Sequence, residues 1–326
     1  MARMQDAGIL RLKQFTWPQR AKLDLYHFGL TLRQGKQKAV GSAVDSSKDK
    51  ALLRAFMEAV ERSFLIEHGG ADFKNTNGLA LHFDRNKAAE NARCELLERD
   101  RFFCHYLARH PFYEIPRASI DETSTQILQY LSRSGCLIHI REMQATTIHK
   151  SALIAVEWRS RGIALSTACA KNLDDAIAKA LLEAVGMASF GMEQAKGVPA
   201  NKTPKNKIPH ESGIPALNDW GPKEHGLQLH NKRYWAEFKK IYLEHPLPAA
   251  SNVPERSPRI ACKISRYTPK FAKGFKAVAA RATSASLQLL YFGATRPDEV
   301  NLARVNTFAG SRMKFDDLHQ RPHPFA

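Results

Sequence analysis

Three segments of this chain align without a gap: Lys50–Arg62 (KALLRAFMEAVER), Lys87–Arg99 (KAAENARCELLER) and Asp175–Met187 (DAIAKALLEAVGM). Each carries Ala at its second and sixth positions and Glu at its ninth. The first two close on Glu-x-x-Glu-Arg, whereas the third has Gly186 and Met187 where the others have Glu and Arg. All three read as helices. In the first, Leu53, Phe56, Met57, Val60 and Phe64 recur at helical spacing as one apolar stripe. Glu58 and Glu61 stand about 60° apart near its edge. The fixed alanines leave room for a neighbouring element to come close. Asn172 is the expected N-cap of the third helix, with Asp174 and Asp175 favourable in its first turn.

Each helix follows a predicted strand: Lys38–Val44, Leu79–Phe83 and Gly162–Ala170. CLIHIREM and ALIAVEW add two strands between the second and third helices. Strand–helix units repeated in this way predict an α/β (α+β) fold with helices packed against sheets. The segments start at 50, 87 and 175, so they are 37 and 88 residues apart. That irregularity argues for one closed domain over residues 1–326 rather than a solenoid. Residues 192–232 contain KGVPANKTPKNKIPHESG and predict a mobile basic loop, either a plain surface loop or a lid over a phosphate-bearing ligand. Beyond it, RYWAEFKKIYLEH reads as a helix, and RIACKISRY and SLQLLYFG as strands. The Pro-rich tail 320–326 is expected to lack regular structure.

Composition narrows the function classes. No apolar run approaches the roughly 20 residues needed to span a bilayer, and the N-terminus lacks a long apolar segment, so a cytoplasmic location away from membranes is expected. The five cysteines form no CxxC pair, which disfavours a disulfide framework and a zinc knuckle. Lys and Arg total 49 against 32 Asp and Glu, a net charge of +17 that favours polyanionic partners. No helix-turn-helix, zinc finger or RNA-binding aromatic motif accompanies the charge, so a nucleic-acid reading rests on charge alone.

One Glu-x-x-Glu-Arg on a helix is most simply a solvated, ion-paired face. Two copies in register on strand–helix units point further. Carboxylates about 4 Å apart repel by roughly 4 kcal/mol at an effective dielectric near 20, so gathered glutamates call for cations. Mg²⁺ bridging carboxylates to substrate phosphates is the natural answer, with Arg62 and Arg99 placed to meet phosphate oxygens or orient the carboxylates. There is neither a Walker A loop nor GxGxxG. The segment GSAVDSS, with Ser42, Ser46 and Ser47, precedes the first helix and could meet phosphate or simply cap the helix.

These residues resemble the YcaO family over nearly the whole chain. The resemblance is carried by EAVER (Glu58 to Arg62), by NGLA (Asn77 to Ala80) followed by ELLERD (Glu95 to Asp100), by DAIAKALLEA (Asp175 to Ala184) and by the terminal PHPFA (Pro322 to Ala326). It implies ATP-dependent activation of a peptide backbone amide, with azoline formation from Cys, Ser or Thr as the leading reaction and thioamide or amidine formation, or a degenerate scaffold, as alternatives. It further implies Glu58, Glu61, Glu95 and Glu98 as Mg²⁺ ligands. Glu183 would join them or the nucleotide, Arg62 and Arg99 would contact phosphate, and Pro322, Pro324 and Ala326 would form a catalytic tail, while Ser42 and Ser46, from their place before the first helix, and Arg304 are further candidate nucleotide contacts. Many members carry Gln and Arg after the third-helix glutamate, where this chain has Gly186 and Ala188, and the tail ends PHPFA rather than PHPFP. Arg281, Arg296 and Arg304 are the candidates for a replaced phosphate contact. The expected partners are a precursor peptide and a separate peptide-presenting protein, either E1-like (leader-binding) or TfuA-like. A flavin dehydrogenase in the same complex and a homodimer are further expectations.

Overall fold

A computed structural model describes residues 10–15, 25–34, 37–68, 77–115, 120–158, 162–195, 221, 225–226, 228–270 and 275–324. Its strands are β1 (Leu10–Phe15), β2 (Tyr26–Gln34), β3 (Gln37–Asp45), β4 (Leu79–His82), β5 (Cys136–Met143), β6 (Lys150–Trp158), β7 (Gly162–Ala170), β8 (Ala261–Tyr267) and β9 (Ala277–Thr283). Its α-helices are α1 (Lys48–His68), α2 (Arg85–Leu107), α3 (Glu122–Arg133), α4 (Leu173–Ala195), α5 (Lys232–Phe238) and α6 (Leu302–Ala309). The chain divides into two compact units, Met1–Leu96 with Ile260–Ser284, and Leu97–Arg259 with Ala285–Ala326.

In the first unit β1, β2 and β3 form an antiparallel sheet in that order, and β4, β9 and β8 form a second. Phe28, Leu30 and Leu32 alternate along β2 into a core shared with Ala55, Phe56, Ala59, Val60 and Phe64 of α1. The contact of α1 with β3 is close because Gly41 has no side chain: a Cβ there would lie 2.1 Å from the Ala55 carbonyl oxygen and 2.4 Å from the Ala59 nitrogen. Asn77–Gly78 is the turn into β4. Gly78 has φ +65°, a left-handed conformation that favours glycine, and its carbonyl accepts from the Ala282 N–H at 2.7 Å.

In the second unit β5, β6 and β7 form an antiparallel sheet, and α4 lies on β7 and β6. Ser166 of β7 donates its hydroxyl to the Ala180 carbonyl of α4 at 2.6 Å. A large aromatic core joins Phe102, Phe103 and Tyr106 of α2 to Phe112, Trp235 and Tyr242.

The repeated alanines share one kind of environment. All six repeat alanines, Ala51, Ala55, Ala88, Ala92, Ala176 and Ala180, are fully buried. Each repeat helix follows its predicted strand in the chain, and Asn172 caps α4 by accepting from the Asp175 N–H at 2.8 Å. The five cysteines are free, and only Cys262 is less than buried.

Two expectations are corrected. SLQLLYFG (Ser286–Gly293) is not a strand. Its backbone is taken up by side chains instead: the Gln288 N–H donates to Asp100 Oδ1 at 2.8 Å, and Asn301 Nδ2 donates to the Ala285 and Leu287 carbonyls. Leu53 is 48% exposed, because the alanines, with Phe56, Val60 and Phe64, make the buried face of α1. Most of 192–232 lies outside the described residues, as do Phe325 and Ala326; Pro322–Pro324 have no regular structure, as expected.

Candidate functional site

The first unit sets Glu58 and Glu61 one turn apart on α1, each tied to a strand. Glu58 Oε2 accepts from the backbone N–H of Ser42 on β3 at 2.9 Å, and Glu61 Oε2 from that of Leu81 on β4 at 3.4 Å. Ser42 lies on the outer strand of its sheet, so its N–H can leave the ladder for a carboxylate. Burial pushes the Glu58 carboxyl up, partly opposed by the Ser42 bond and by Arg62, whose guanidinium lies 3.8 Å from it. The Ser42 hydroxyl is 2.7 Å from Nε2 of the buried His27. Ser46 is exposed, and Ser47 serves α1 as a cap, its hydroxyl accepting from the Lys50 N–H at 3.4 Å. Glu95 sits on the part of α2 that belongs to this unit, half-buried.

The second unit holds Glu98 and Arg99 on the following turn of α2, with Arg99 3.9 Å from the Glu98 carboxylate. Glu98 Oε1 accepts from the hydroxyl of Thr167 on β7 at 2.5 Å. Glu183 is exposed on α4, while Ala188 is fully buried.

The C-terminal tail is anchored in this same unit. The hydroxyls of Tyr106 and Tyr234 donate to the Pro322 carbonyl at 2.9 and 3.1 Å, and burial pushes both phenols well up, keeping them protonated donors. His323 is fully buried. Its carbonyl bonds to His225 Nδ1 at 2.8 Å, its Nε2 to the Tyr291 carbonyl at 2.5 Å, and its ring stacks on that of His225 at 4.0 Å. Pro324 is buried beside it.

Arg304 of α6 is engaged by two acids. Its Nε and Nη2 each lie 3.0 Å from an oxygen of Asp100, and Nη2 reaches Glu255 Oε2 at 3.1 Å. Arg101 Nη1 adds bonds to Asp100 and Glu255, both at 2.9 Å. Two acids and two arginines thus balance, with Asp100 wholly buried. Arg296 pairs with Asp298 and Glu299 at the surface.

Sequence reasoning found the glutamates through their repetition. It missed the contacts of His27, Thr167, Tyr106, Tyr234 and Glu255, each a single residue that belongs to no repeated motif. Asp100 was visible as the last letter of ELLERD, with no role attached.

Within the first unit Glu58 and Glu61 offer hard carboxylate oxygens of the kind Mg²⁺ takes, each oriented by a backbone N–H, and within the second unit Glu98 offers the same, oriented by a hydroxyl.

Comparison with known proteins bears on this directly. The sequence model of the YcaO cyclodehydratase family, described as ATP- and Mg²⁺-binding, matches residues 67–309. No curated protein sequence matches the chain. Among solved structures, a heterocyclase in complex with substrate and cofactor superposes with a TM-score of 0.62 at 11% identity, over 97% of this chain and 55% of its own. The E. coli microcin synthetase McbBCD complex superposes with a TM-score of 0.57 at 11% identity, over 85% of this chain and 88% of its own. At such identities the structures establish the fold. With three-quarters of its length inside the family model, the chain belongs to the YcaO family, whose members bind ATP and Mg²⁺.

Proposed function

We propose that this protein uses ATP to activate the oxygen of a peptide backbone amide, forming an azoline from a Cys, Ser or Thr side chain. The observation that carries the proposal is the match to an ATP- and Mg²⁺-binding cyclodehydratase family over residues that include Glu95, Glu98 and Glu183. In this reading the side-chain sulfur or oxygen of the peptide attacks the preceding carbonyl carbon. The attacking thiol or hydroxyl gives up its proton, the former carbonyl oxygen takes the γ-phosphoryl group of ATP as ADP leaves, and phosphate then leaves as the C=N bond forms and the amide nitrogen gives up its proton. An amide oxygen is a very poor leaving group and phosphate a good one, so catalysis is mainly positioning and charge neutralisation.

Glu58, Glu61, Glu95 and Glu98 are the proposed Mg²⁺ ligands; the ion would neutralise phosphate charge. Arg62, Arg99, Ser42, Ser46 and Glu183 are proposed on the nucleotide, and the tail at Pro322 to Ala326 beside the reacting amide. The microcin synthetase is a complex of several proteins, which supports a separate partner that presents the peptide to this chain.

The test is mass spectrometry of a Cys-containing precursor peptide incubated with the protein, its partner, Mg²⁺ and ATP. Loss of one water per ring with matching phosphate release is expected; exchange of oxygen for sulfur would assign thioamide chemistry instead. Glu61→Gln and Glu98→Gln should abolish turnover, and full activity in both would remove the metal assignment. A second reading, a degenerate scaffold, is favoured by Gly186 and by the buried Ala188 where many members have arginine. Calorimetric binding of Mg²⁺–ATP would count against it.

A further inference from the structure

We infer that His27 is a positioning residue for nucleotide binding, acting through the hydroxyl of Ser42. The inference rests on the proposed ATP chemistry and adds to it a residue that no sequence motif marks. His27 lies on β2 and Ser42 on β3, two rungs apart on the same ladder: His27 pairs with Val44, Phe28 with Ala43, and Gly29 with Ser42. Side chains two residues apart on a strand share a face, so the ring reaches diagonally across to the hydroxyl. The two residues differ sharply in exposure. His27 is 1% exposed, whereas Ser42 is exposed. A polar ring is therefore held in the interior with Nε2 at 2.7 Å from a hydroxyl at the surface.

An exposed serine hydroxyl is ordinarily a free rotor. Here the contact with His27 fixes where the Ser42 oxygen sits and which way its proton points. If Nε2 carries the ring proton, the Ser42 hydroxyl is left to donate to an anionic oxygen. If Nε2 is bare, it takes the hydroxyl proton and leaves the oxygen lone pairs to a cation. Either arrangement presents one defined chemistry to a Mg²⁺–phosphate ligand and removes the entropy cost of ordering the rotor on binding. The backbone of Ser42 is fixed as well, since its N–H donates to Glu58 Oε2 at 2.9 Å. Ser42 is thus gripped at two points, by a buried imidazole and by a proposed metal ligand. A surface serine with no ligand to meet needs neither.

A double-mutant cycle on the full chain tests this, with calorimetric binding of Mg²⁺ and a non-hydrolysable ATP analogue as the readout and thermal melting alongside. His27→Phe and Ser42→Ala should each weaken binding about tenfold, in line with the worth of a hydrogen bond to a charged group. If His27 acts through Ser42, the double variant should bind no worse than Ser42→Ala alone. His27→Gln can place a polar atom near the Nε2 position and should recover binding to within about threefold of wild type, whereas His27→Asn is too short to do so. Binding by His27→Phe at the wild-type level would overturn the inference. So would additive losses in the cycle, or equal effects of Gln and Asn, since these mark a structural role. Should His27→Phe fail to melt cooperatively, the contrast between Gln and Asn decides. If wild-type protein binds no Mg²⁺–nucleotide, the proposed function falls first and the inference with it; if wild type binds and the cycle is additive, the inference alone falls.

Discussion

Thr167 donates its hydroxyl to Glu98 Oε1 at 2.5 Å, joining the central motif of α2 to the middle of β7. Thr167 is buried, so its γ-oxygen has little competition from water and holds the carboxylate in one rotamer. Thr167→Val preserves the shape of the side chain and removes the donor. With Glu98 as a proposed Mg²⁺ ligand, half-saturation by Mg²⁺ in the proposed ATP-consuming reaction should rise roughly tenfold, about 1.4 kcal/mol, with Thr167→Ser close to wild type. An unchanged Mg²⁺ dependence in Thr167→Val would show that the bond is structural only.

Gly41 is the point where the alanine repeat meets the sheet. In Gly41→Ala the new methyl would press on backbone atoms, the Ala55 carbonyl oxygen and the Ala59 nitrogen, which cannot rotate away. Overpacking of this kind costs about 1–3 kcal/mol, and α1 can relieve it only by lifting from β3. The melting temperature should fall by several degrees, and Mg²⁺ binding should weaken because the proposed ligands Glu58 and Glu61 move with the helix. A variant that melts with wild type would mean that α1 is not seated as described.

How much of this was legible in the sequence follows from which signals repeat. The alanines and glutamates of the three helices recur at fixed offsets, so the close-packed alanine positions and the candidate carboxylates could be read from periodicity, and the strands before them from their apolar runs, whereas the stripe through Leu53 misplaced one edge of the buried face of α1. Gly78 is explicable only once its left-handed φ and the close Ala282 carbonyl are known. SLQLLYFG has the composition of a strand, but Asn301, beyond the end of the segment, and Asp100, from far along the chain, claim its backbone. No local propensity reports a competitor nearly 190 residues away, as Asp100 is from Gln288. The anchoring of Pro322 by Tyr106 and Tyr234 is of the same long-range kind.

Arg304 separates a structural role from a ligand-binding one. Its guanidinium meets Asp100 through two nitrogens and Glu255 through Nη2. Arg304→Met strips both acids of a partner inside the protein. Removing one member of a buried charged set costs about 3–5 kcal/mol, so a large drop in melting temperature is expected, with or without nucleotide. Arg304→Lys keeps the charge but cannot make the two-nitrogen contact, and should fall between. If Arg304 served mainly to hold phosphate, Arg304→Met would weaken nucleotide binding while leaving the melting temperature of the free protein nearly unchanged.

Docking of the tail should be lost in acid. His319 and His323 are both buried. Burial, followed by the charges of Arg109 and Arg321, lowers His319 to about 4, and burial followed by His225 holds His323 well below the usual histidine range. The sign follows from linkage: a histidine depressed in the docked state binds its proton more readily once released, so the docked state is favoured above the ordinary histidine value near 6.5 and loses ground as pH falls below it. Each pH unit below that value removes about 1.4 kcal/mol per histidine until the docked pKa is reached. Hydrogen exchange at residues 319–323, compared with β6 as an internal reference, should therefore accelerate between pH 7 and pH 5. Tyr106→Phe removes one of the two hydroxyls on the Pro322 carbonyl, and its tail should open at a higher pH than that of wild type. His323→Gln removes one titrating ring and should flatten the dependence. Protection of the tail that is constant between pH 7 and pH 5, or that is lost on raising the pH instead, would contradict the account of these histidines as neutral anchors.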